Sequence, residues 1–187
     1  MGDVIKLIFL GNSGVGKSNI INRIAHFDFD LNKKPTIGID YYMIKIVYND
    51  KTYKVQLWDT AGQERFLSIV RSYYYNIDGA VIVYDITNYK SFKYINYWLD
   101  EIKNNCNKDV PVLILGNKSD LDVIREVSID EATKYANDNN LKFIEVSALE
   151  NLNIDKIYEL LIKQILDLNV YKENKVEIPK SNKDCYC

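Results

Sequence analysis

The sequence predicts a single α/β domain in which a mostly parallel sheet is covered by helices on both faces. Short apolar runs alternate with helical patterns along the chain, which is typical of a sheet built from βαβ units. Runs such as 4–10 and 80–84 are apolar throughout, as expected of strands buried on both faces. At 187 residues the chain is long enough to form a core without disulfides or metals.

Six runs have the length and composition of strands, and they cover residues 4–10, 41–48, 53–58, 80–84, 112–115 and 142–146. The polar residues 49–51 provide turn chemistry between the second and third runs, so we expect these two to form an antiparallel hairpin at one sheet edge. The remaining runs continue the βαβ rhythm. The predicted sheet therefore has six strands, of which one edge strand is antiparallel.

Helical patterns occupy most segments between these strands, and we expect helices over 19–27, 71–76, 91–104 and 129–137. Ser128, with Glu131 three residues later, has the spacing of a capping box. Apolar residues at helical spacing over 154–168 predict a last amphipathic helix. Beyond it the pattern is polar and irregular. We therefore expect a folded domain over 1–168 and a flexible tail over 169–187.

The first strand leads directly into a glycine-rich loop, residues 11–18, which reads GNSGVGKS and matches GxxxxGK[ST]. Gly14 and Gly16 let successive backbone N–H groups turn inward, and the following helix N-terminus favours an anion. Lys17 can then reach the outer phosphates of a nucleotide. Ser18 offers a hydroxyl to the Mg²⁺ that a triphosphate carries. A plain glycine turn is the alternative, but a strand before the loop and a helix after it favour phosphate binding.

A second loop follows the third strand and begins with Asp59. An acidic residue at this sheet edge helps to hold Mg²⁺ in phosphoryl transfer, where positioning and charge neutralisation provide most of the rate. An ordinary turn residue is the alternative for Asp59. The second hydroxyl of Thr36 and the flexible Gly62, both in neighbouring loops, favour the metal.

The identity of the base is predicted by NKSD, residues 117–120, at the end of another strand. The Asp120 carboxylate can accept both hydrogens from the N1–H and N2–H₂ edge of guanine, whereas adenine has no matching donors. Ser147 and Ala148, at the next strand end, supply a backbone N–H suited to guanine O6. Alone, NKSD could be an ordinary polar loop. Its order after the two earlier loops favours a guanine nucleotide.

Composition argues against several other classes of protein. A net charge of −2 and a pI near 5.5 provide no basic field for nucleic acid or for an anionic membrane surface. No apolar run approaches the roughly 20 residues of a spanning helix, so we expect a cytosolic chain. The three cysteines do not form a disulfide scaffold or a zinc site.

In the content and order of its motifs, the sequence resembles the small GTPases of the Ras superfamily, and the Rab branch most closely. The resemblance covers essentially the whole chain. It rests on GNSGVGKS, on Thr36-Ile37-Gly38 with Asp40, on WDTAGQERF over 58–66, on Ser72-Tyr73-Tyr74, on NKSD and on Ser147-Ala148. It implies the P-loop NTPase fold and a switch in which bound GTP orders two loops, with slow intrinsic hydrolysis and faster hydrolysis beside an activating protein.

The resemblance also implies roles for individual residues around GTP or GDP and Mg²⁺. Ser18 and Thr36 would bind Mg²⁺ directly, and Asp59 would bind it through water. Gly62 would sense the γ-phosphate, and Gln63 would be the catalytic residue that orients the attacking water. The remaining nucleotide contacts would come from Ser13, Gly14, Val15, Gly16, Lys17 and Asn19 at the phosphates, and from Phe29, Asn117, Lys118, Asp120, Ser147 and Ala148 at the guanine.

Tyr41, Trp58 and Tyr73 resemble the aromatic surface through which Rab proteins meet effectors, although simple packing around the hairpin is an alternative for Trp58. Two residues depart from the family pattern. Tyr41 stands where Phe is usual, which puts effector specificity in question. Leu149 stands where Lys is usual, which removes a charge near the base and is expected to alter affinity.

The C-terminal Cys185-Tyr186-Cys187 resembles the C-x-C ending of Rab proteins, which implies geranylgeranylation of both thiols and attachment to the cytosolic face of an intracellular membrane. Without the GTPase motifs, two frayed terminal cysteines would be the better interpretation. The resemblance further implies a monomer that meets an exchange factor, an activating protein, effectors, a GDP-dissociation inhibitor and a Rab escort protein, and that binds no nucleic acid.

Three alternative functions remain open at this point. A metabolic P-loop kinase is disfavoured by NKSD and by the lack of an arginine-rich lid segment. A scaffold with a structural, unhydrolysed nucleotide is disfavoured by Gln63 and Thr36. A Ras- or Rho-type signalling role is disfavoured because the ending is not C-a-a-X and no insert follows Leu121.

Overall fold

The structure, a computed structural model, describes residues 4–25, 29, 36, 38–62, 71–106 and 109–176, with side chains as far as residue 168. Its strands are β1 (Val4–Leu10), β2 (Ile39–Tyr48), β3 (Lys51–Thr60), β4 (Gly79–Asp85), β5 (Val112–Asn117) and β6 (Lys142–Glu145). They form one sheet in the order β2-β3-β1-β4-β5-β6. Only the β2–β3 pair is antiparallel. The predicted six-stranded sheet with one antiparallel edge strand is therefore confirmed.

The described helices are α1 (Lys17–Ile24), α2 (Tyr89–Lys93), α3 (Ile95–Asn105), α4 (Ile129–Asp138) and α5 (Ile154–Val176), with a 3₁₀ helix at Ser119–Ile124. They cover both faces of the sheet because neighbouring strand residues point in opposite directions. In β1, Leu7 and Phe9 join a core cluster with residues of α1 and α5, whereas Ile8 and Leu10 join a second cluster with residues of α3 and α4. None of the helices in the described part of the chain is long and apolar enough to cross a bilayer.

The predicted hairpin forms through a two-residue turn. Asn49 and Asp50 have φ values of 48° and 59°, and Tyr48 pairs with Lys51 across the turn. Positive φ at both central residues is the geometry that matches the right-handed twist of two antiparallel strands, and Asn and Asp tolerate it. The polar pair Asn-Asp therefore sets the register of the sheet edge.

Ser128 is the N-cap of α4 as predicted, because its Oγ accepts from the Glu131 N–H at 3.1 Å, whereas the Glu131 carboxylate accepts from the Tyr89 hydroxyl at 2.9 Å. The helix predicted over 91–104 begins earlier, at Tyr89, and divides into α2 and α3. Asn88 caps this earlier start, since its side-chain oxygen accepts a hydrogen bond from the Ser91 N–H at 3.2 Å. The side-chain cap explains why helix begins before the apolar periodicity does.

Two other expectations need correction. The short helix predicted over 71–76 is wrong, because only Arg71 is helical there and Asn76 adopts a φ of 62°. The Tyr74 side chain is fully buried, and this burial determines the backbone conformation here more strongly than the helical spacing of the sequence does. The last helix, predicted over 154–168, is longer, since α5 extends to Val176 and no Gly or Pro interrupts the chain before Pro179.

Candidate functional site

The phosphate loop lies between β1 and α1, at the carboxyl edge of the sheet, as predicted. Gly14 and Gly16 have φ values of 82° and 98°, which favour glycine. A Cβ on Gly16 would lie 2.2 Å from Asn117 Nδ2, so a larger residue does not fit there. Because the residue before α1 is glycine, no side chain caps the first-turn N–H groups, and they remain available to an anion.

Lys17 folds back over this loop. Its Nζ donates to Gly11 O at 2.8 Å and to Asn12 O at 3.0 Å, and the residue is only 5% exposed. Burial lowers the pKa of Lys17 to about 8, while the nearby Asp59 carboxylate opposes the shift. The ammonium thus lies against two carbonyl oxygens of the loop, where a bound phosphate would favour its charged form.

The depressed pKa predicts a pH-dependent affinity for nucleotide. A bound phosphate raises the pKa of Lys17 again, so binding takes up a proton above about pH 8. The protonated fraction of the free protein falls about tenfold between pH 7 and pH 9, and the affinity for GDP should fall about as much. Fluorescence titrations with GDP at the two pH values measure this ratio.

The control is Lys17→Arg, since a guanidinium stays protonated throughout this range. Its residual pH dependence reports ionisation of the nucleotide itself. Equal pH dependences in Lys17→Arg and the unaltered protein would contradict a role for Lys17 titration.

Three oxygen-bearing side chains from separate segments meet beside Lys17. Ser18 Oγ lies 3.0 Å from Thr36 Oγ1, and Thr36 Oγ1 donates to Asp59 Oδ2 at 3.3 Å. The Asp59 residue is fully buried at the end of β3. Hydroxyl and carboxylate oxygens are the ligands that Mg²⁺ prefers, and a Mg²⁺ that also bears phosphate oxygens needs only a few of them. The donor set therefore fits Mg²⁺.

Gly62 brings the loop after β3 against the phosphate loop. A Cβ on Gly62 would lie 2.4 Å from the backbone atoms Asn12 C and Ser13 N, and 2.6 Å from Asn12 O. The adjacent Ala61 N–H donates to Gly38 O at 2.9 Å. The segments beside residues 38 and 62 are thus connected to each other and to the phosphate loop. Gln63 lies outside the described residues.

Asn117 connects the phosphate loop to the predicted base pocket. Its Nδ2 donates to Val15 O at 2.8 Å, and its Oδ1 accepts from the Ala148 N–H at 3.2 Å. Asp120 accepts a hydrogen bond from Ser147 Oγ, which in turn accepts from the Glu150 N–H at 3.0 Å. The predicted base residues are therefore brought together at the ends of β5 and β6.

Lys118 has a φ of 69°, and its ammonium forms an ion pair with Asp85. The other oxygen of Asp85 accepts from Thr87 N at 2.9 Å and from Thr87 Oγ1 at 2.7 Å. Sequence reasoning missed Asp85 as a partner of the base pocket. Its position directly after a fully apolar run was the available signal, because strand ends at this edge carry the other site residues.

Phe29 packs beside Arg23, whose guanidinium carbon is 5.9 Å from the centre of the Phe29 ring. Arg23 was not predicted from the sequence, since it belongs to no motif.

The remaining expected nucleotide contacts, Ser13 and Asn19, lie in the phosphate loop and in α1. The Asn19 side-chain oxygen is buried with no hydrogen-bond partner among the described residues.

The three predicted surface aromatics form one contiguous cluster. The rings of Tyr41 and Trp58 are 5.3 Å apart between centres, and those of Trp58 and Tyr73 are 4.9 Å apart. Tyr41 is 51% exposed and Tyr73 is 36% exposed, so the flanking rings face solvent while Trp58 packs between them.

The two cysteines predicted to carry lipid, Cys185 and Cys187, lie outside the described residues.

Comparison with known proteins shows the family to which the chain belongs. The sequence matches the Ras family over residues 6–167. It is 39% identical over 183 residues to the Ras-related protein RABA5b of Arabidopsis thaliana, covering 98% of this chain and 81% of that protein. It is 42% identical to the Ras-related protein Rab-11C of Dictyostelium discoideum (88% and 74% covered), and 40% identical to the GTP-binding protein ypt3 of Schizosaccharomyces pombe (87% and 76% covered). The chain therefore belongs to the Ras family and is a Rab-type small GTPase, an enzyme that hydrolyses GTP.

Proposed function

We propose that the protein is a nucleotide-dependent switch of intracellular membrane traffic, cycling between an inactive GDP form and an active GTP form. The observation that carries the proposal is the position of Thr36 between two residues of other segments, 3.0 Å from the Ser18 hydroxyl and 3.3 Å from the Asp59 carboxylate. A terminal phosphate at this point contacts the segments around Thr36 and Gly62 together. Its loss on hydrolysis removes those contacts and releases both segments.

In this proposal the described residues bind and orient the nucleotide. Lys17 and the amides of the phosphate loop hold the phosphates, and Asp120 holds the guanine edge. Ser18 and Thr36 would hold Mg²⁺ directly, and Asp59 would hold it through water. When bound, the ion neutralises charge that develops on the phosphate oxygens.

Hydrolysis in this proposal needs an attacking water, which Gln63 orients. No motif places an arginine of this chain beside the terminal phosphate, so intrinsic hydrolysis is slow. An activating protein that supplies an arginine would add on the order of 10³- to 10⁵-fold.

Ser18→Ala tests the metal site on which the switch depends. The Ser18 hydroxyl would hold Mg²⁺ beside the phosphates, so the ion should slow release of fluorescent GDP from the unaltered protein and have much less effect on the variant. We expect the ratio of release rates in EDTA and in Mg²⁺ to fall by at least about tenfold, the equivalent of roughly 1.4 kcal/mol.

Ser128→Ala is the control for loss of a serine hydroxyl, because Ser128 is exposed and its hydroxyl acts as the cap of α4, away from the phosphate loop. It should retain the full Mg²⁺ effect. If Ser18→Ala retained it as well, Ser18 would not be a metal ligand.

The proposed partners follow from the exposed aromatic cluster of Tyr41, Trp58 and Tyr73, which provides a rigid apolar surface of the kind enriched at protein interfaces. Effectors would bind there when the neighbouring segments are ordered by GTP. An exchange factor, an activating protein, a GDP-dissociation inhibitor and a Rab escort protein complete the proposed cycle. The relatives' names, Rab-11C and ypt3 among them, support a place in the Rab branch.

Membrane attachment is proposed through geranylgeranyl groups on Cys185 and Cys187, on the cytosolic face of an intracellular membrane. One lipid chain gives only marginal binding, so both thiols should be needed for stable attachment. Replacing both by serine should move most of the tagged full-length protein from the membrane fraction to the soluble fraction of cells. Cys106→Ser, in the folded domain, should stay with the membranes. Membrane recovery of the double variant would require a different anchor.

A further inference from the structure

We infer that Arg23 is a positioning residue for guanine, which holds Phe29 and the loop 147–149 in the arrangement that grips the base. The inference rests on the guanine-nucleotide site proposed above and adds a residue that none of its motifs contains. Arg23 lies in the last turn of α1, beside Ile24 and close to Ile20 and Ile21, which are buried in the core. Helix α1 begins at the phosphate loop, so the backbone of Arg23 has a fixed position relative to that loop.

The Arg23 side chain makes a two-pronged contact with the loop after β6. Its Nε donates to Ala148 O at 2.8 Å, and its Nη2 donates to Leu149 O at 3.0 Å. The same guanidinium carbon lies 5.9 Å from the centre of the Phe29 ring, within the range of a cation–π contact. One charged group thus connects α1, the ring expected to cover the guanine, and the loop expected to bind its O6.

The orientation of this loop shows what the contact does. Its two carbonyls point to Arg23, while the Ala148 N–H points the other way, to Asn117 Oδ1 at 3.2 Å. The preceding Ser147 donates its hydroxyl to Asp120, the residue expected to read the guanine edge. Arg23 therefore holds the loop 147–149 from the side opposite Asn117 and Asp120, the two polar residues that this loop contacts.

Leu149 makes this contact more important. Its side chain is apolar and 46% exposed, so it brings no charge to the loop. Arg23 supplies a cation to the backbone of the same residue. A lysine ammonium donates from a single point, whereas the planar guanidinium donates in a fork that fixes the direction of two carbonyls at once.

Arg23 could instead stabilise only helix α1, and this role predicts a different effect of its removal on nucleotide release. If Arg23 only stabilised α1, its loss would disturb the phosphate loop and would weaken the Mg²⁺-dependent part of binding. If Arg23 positions the base pocket, its loss should act through Phe29 and the loop 147–149 and should leave the Mg²⁺ effect unchanged. The two cases are separated by nucleotide release in Mg²⁺ and in EDTA, and by coupling between Arg23 and Phe29.

The experiment measures release of fluorescent GDP from the full-length protein, from Arg23→Ala, from Phe29→Ala and from the double variant, each in Mg²⁺ and in EDTA. Arg23→Ala should accelerate release about tenfold, by the same factor in both buffers, since hydrogen bonds from charged groups and a cation–π contact are lost. The acceleration of GDP release in the double variant should be much smaller than the product of the accelerations in the two single variants. Arg23→Lys, which keeps the charge but loses the fork, should lie between the unaltered protein and Arg23→Ala.

Arg71→Ala is the matched control, because Arg71 also makes a forked contact, to Glu101 at 2.8 and 3.0 Å, on a different part of the fold. It should leave GDP release unchanged in EDTA. The inference is overturned if Arg23→Ala releases GDP at the unaltered rate, if its effect disappears in EDTA, or if the effects of Arg23 and Phe29 simply multiply. An unaltered protein that fails to retain GDP would instead overturn the nucleotide site, a result that the variants cannot imitate.

Discussion

Asp120→Ala is expected to lower the preference for GTP over ATP by about 10⁴-fold, because a paired carboxylate provides most of the discrimination between the two bases. Asp120 accepts a hydrogen bond from Ser147 Oγ at the end of β6, which aims the carboxylate across the predicted pocket. In the unaltered protein, adenine would leave this partly buried charge without donors, and that cost disappears with the carboxylate. Competition of ATP and GTP against fluorescent GDP measures the preference directly.

Asp122→Ala is the control for the loss of a negative charge nearby. The Asp122 carboxylate is 73% exposed and forms an ion pair with Arg125 at 2.7 Å, so it faces solvent rather than the base. Its removal should leave base preference unchanged. A retained preference for GTP in Asp120→Ala would show that the guanine is recognised elsewhere.

Much of the architecture could be predicted because the chain repeats one simple relation between pattern and position. Each parallel strand is an apolar run, and the polar residues that follow it must lie at the same sheet edge. This is why Ser18 and Asp59 could be expected together, as could Asn117 and Ala148, before any contact was known. In the structure Asn117 contacts Ala148 directly, and Ser18 is connected to Asp59 through Thr36.

The residues that sequence reasoning missed depend on contacts between distant segments. Arg23 looks like an ordinary basic residue at a helix end, and only the fold brings it to Ala148 and Leu149. Asp85 likewise becomes part of the site only when β4 and β5 pair and Lys118 reaches across. The incorrect helix over 71–76 has the same origin, because burial of Tyr74 outweighs local spacing. Tertiary contacts of this kind leave no periodic signal in the chain.

Gly62→Ala should lower the rate of GTP hydrolysis on the order of 10²-fold, because it separates two loops that must touch. A Cβ at this position would lie 2.4 Å from the backbone of Asn12 and Ser13, and backbone atoms cannot turn away as a flexible side chain can. Gly62 must then move away from the phosphate loop, which would disturb the role proposed for the next residue, Gln63, in orienting the attacking water. Displacement of catalytic groups by about 1 Å can cost about 10²-fold in rate.

Single-turnover hydrolysis of bound GTP measures this effect, with GDP release as a separate readout. Release should change much less than hydrolysis, because Asp120 and the other base contacts lie away from Gly62 and the segment at Gly62, not the phosphate loop, is expected to move. Gly79→Ala is the control for an added methyl group, because it would meet only side-chain ends, Ile165 Cδ1 at 3.0 Å and Leu7 Cδ2 at 3.1 Å. Hydrolysis in Gly62→Ala at the rate of the unaltered protein would mean that close contact between the two loops is not needed for the reaction, and the switch would then have to operate through Thr36 alone.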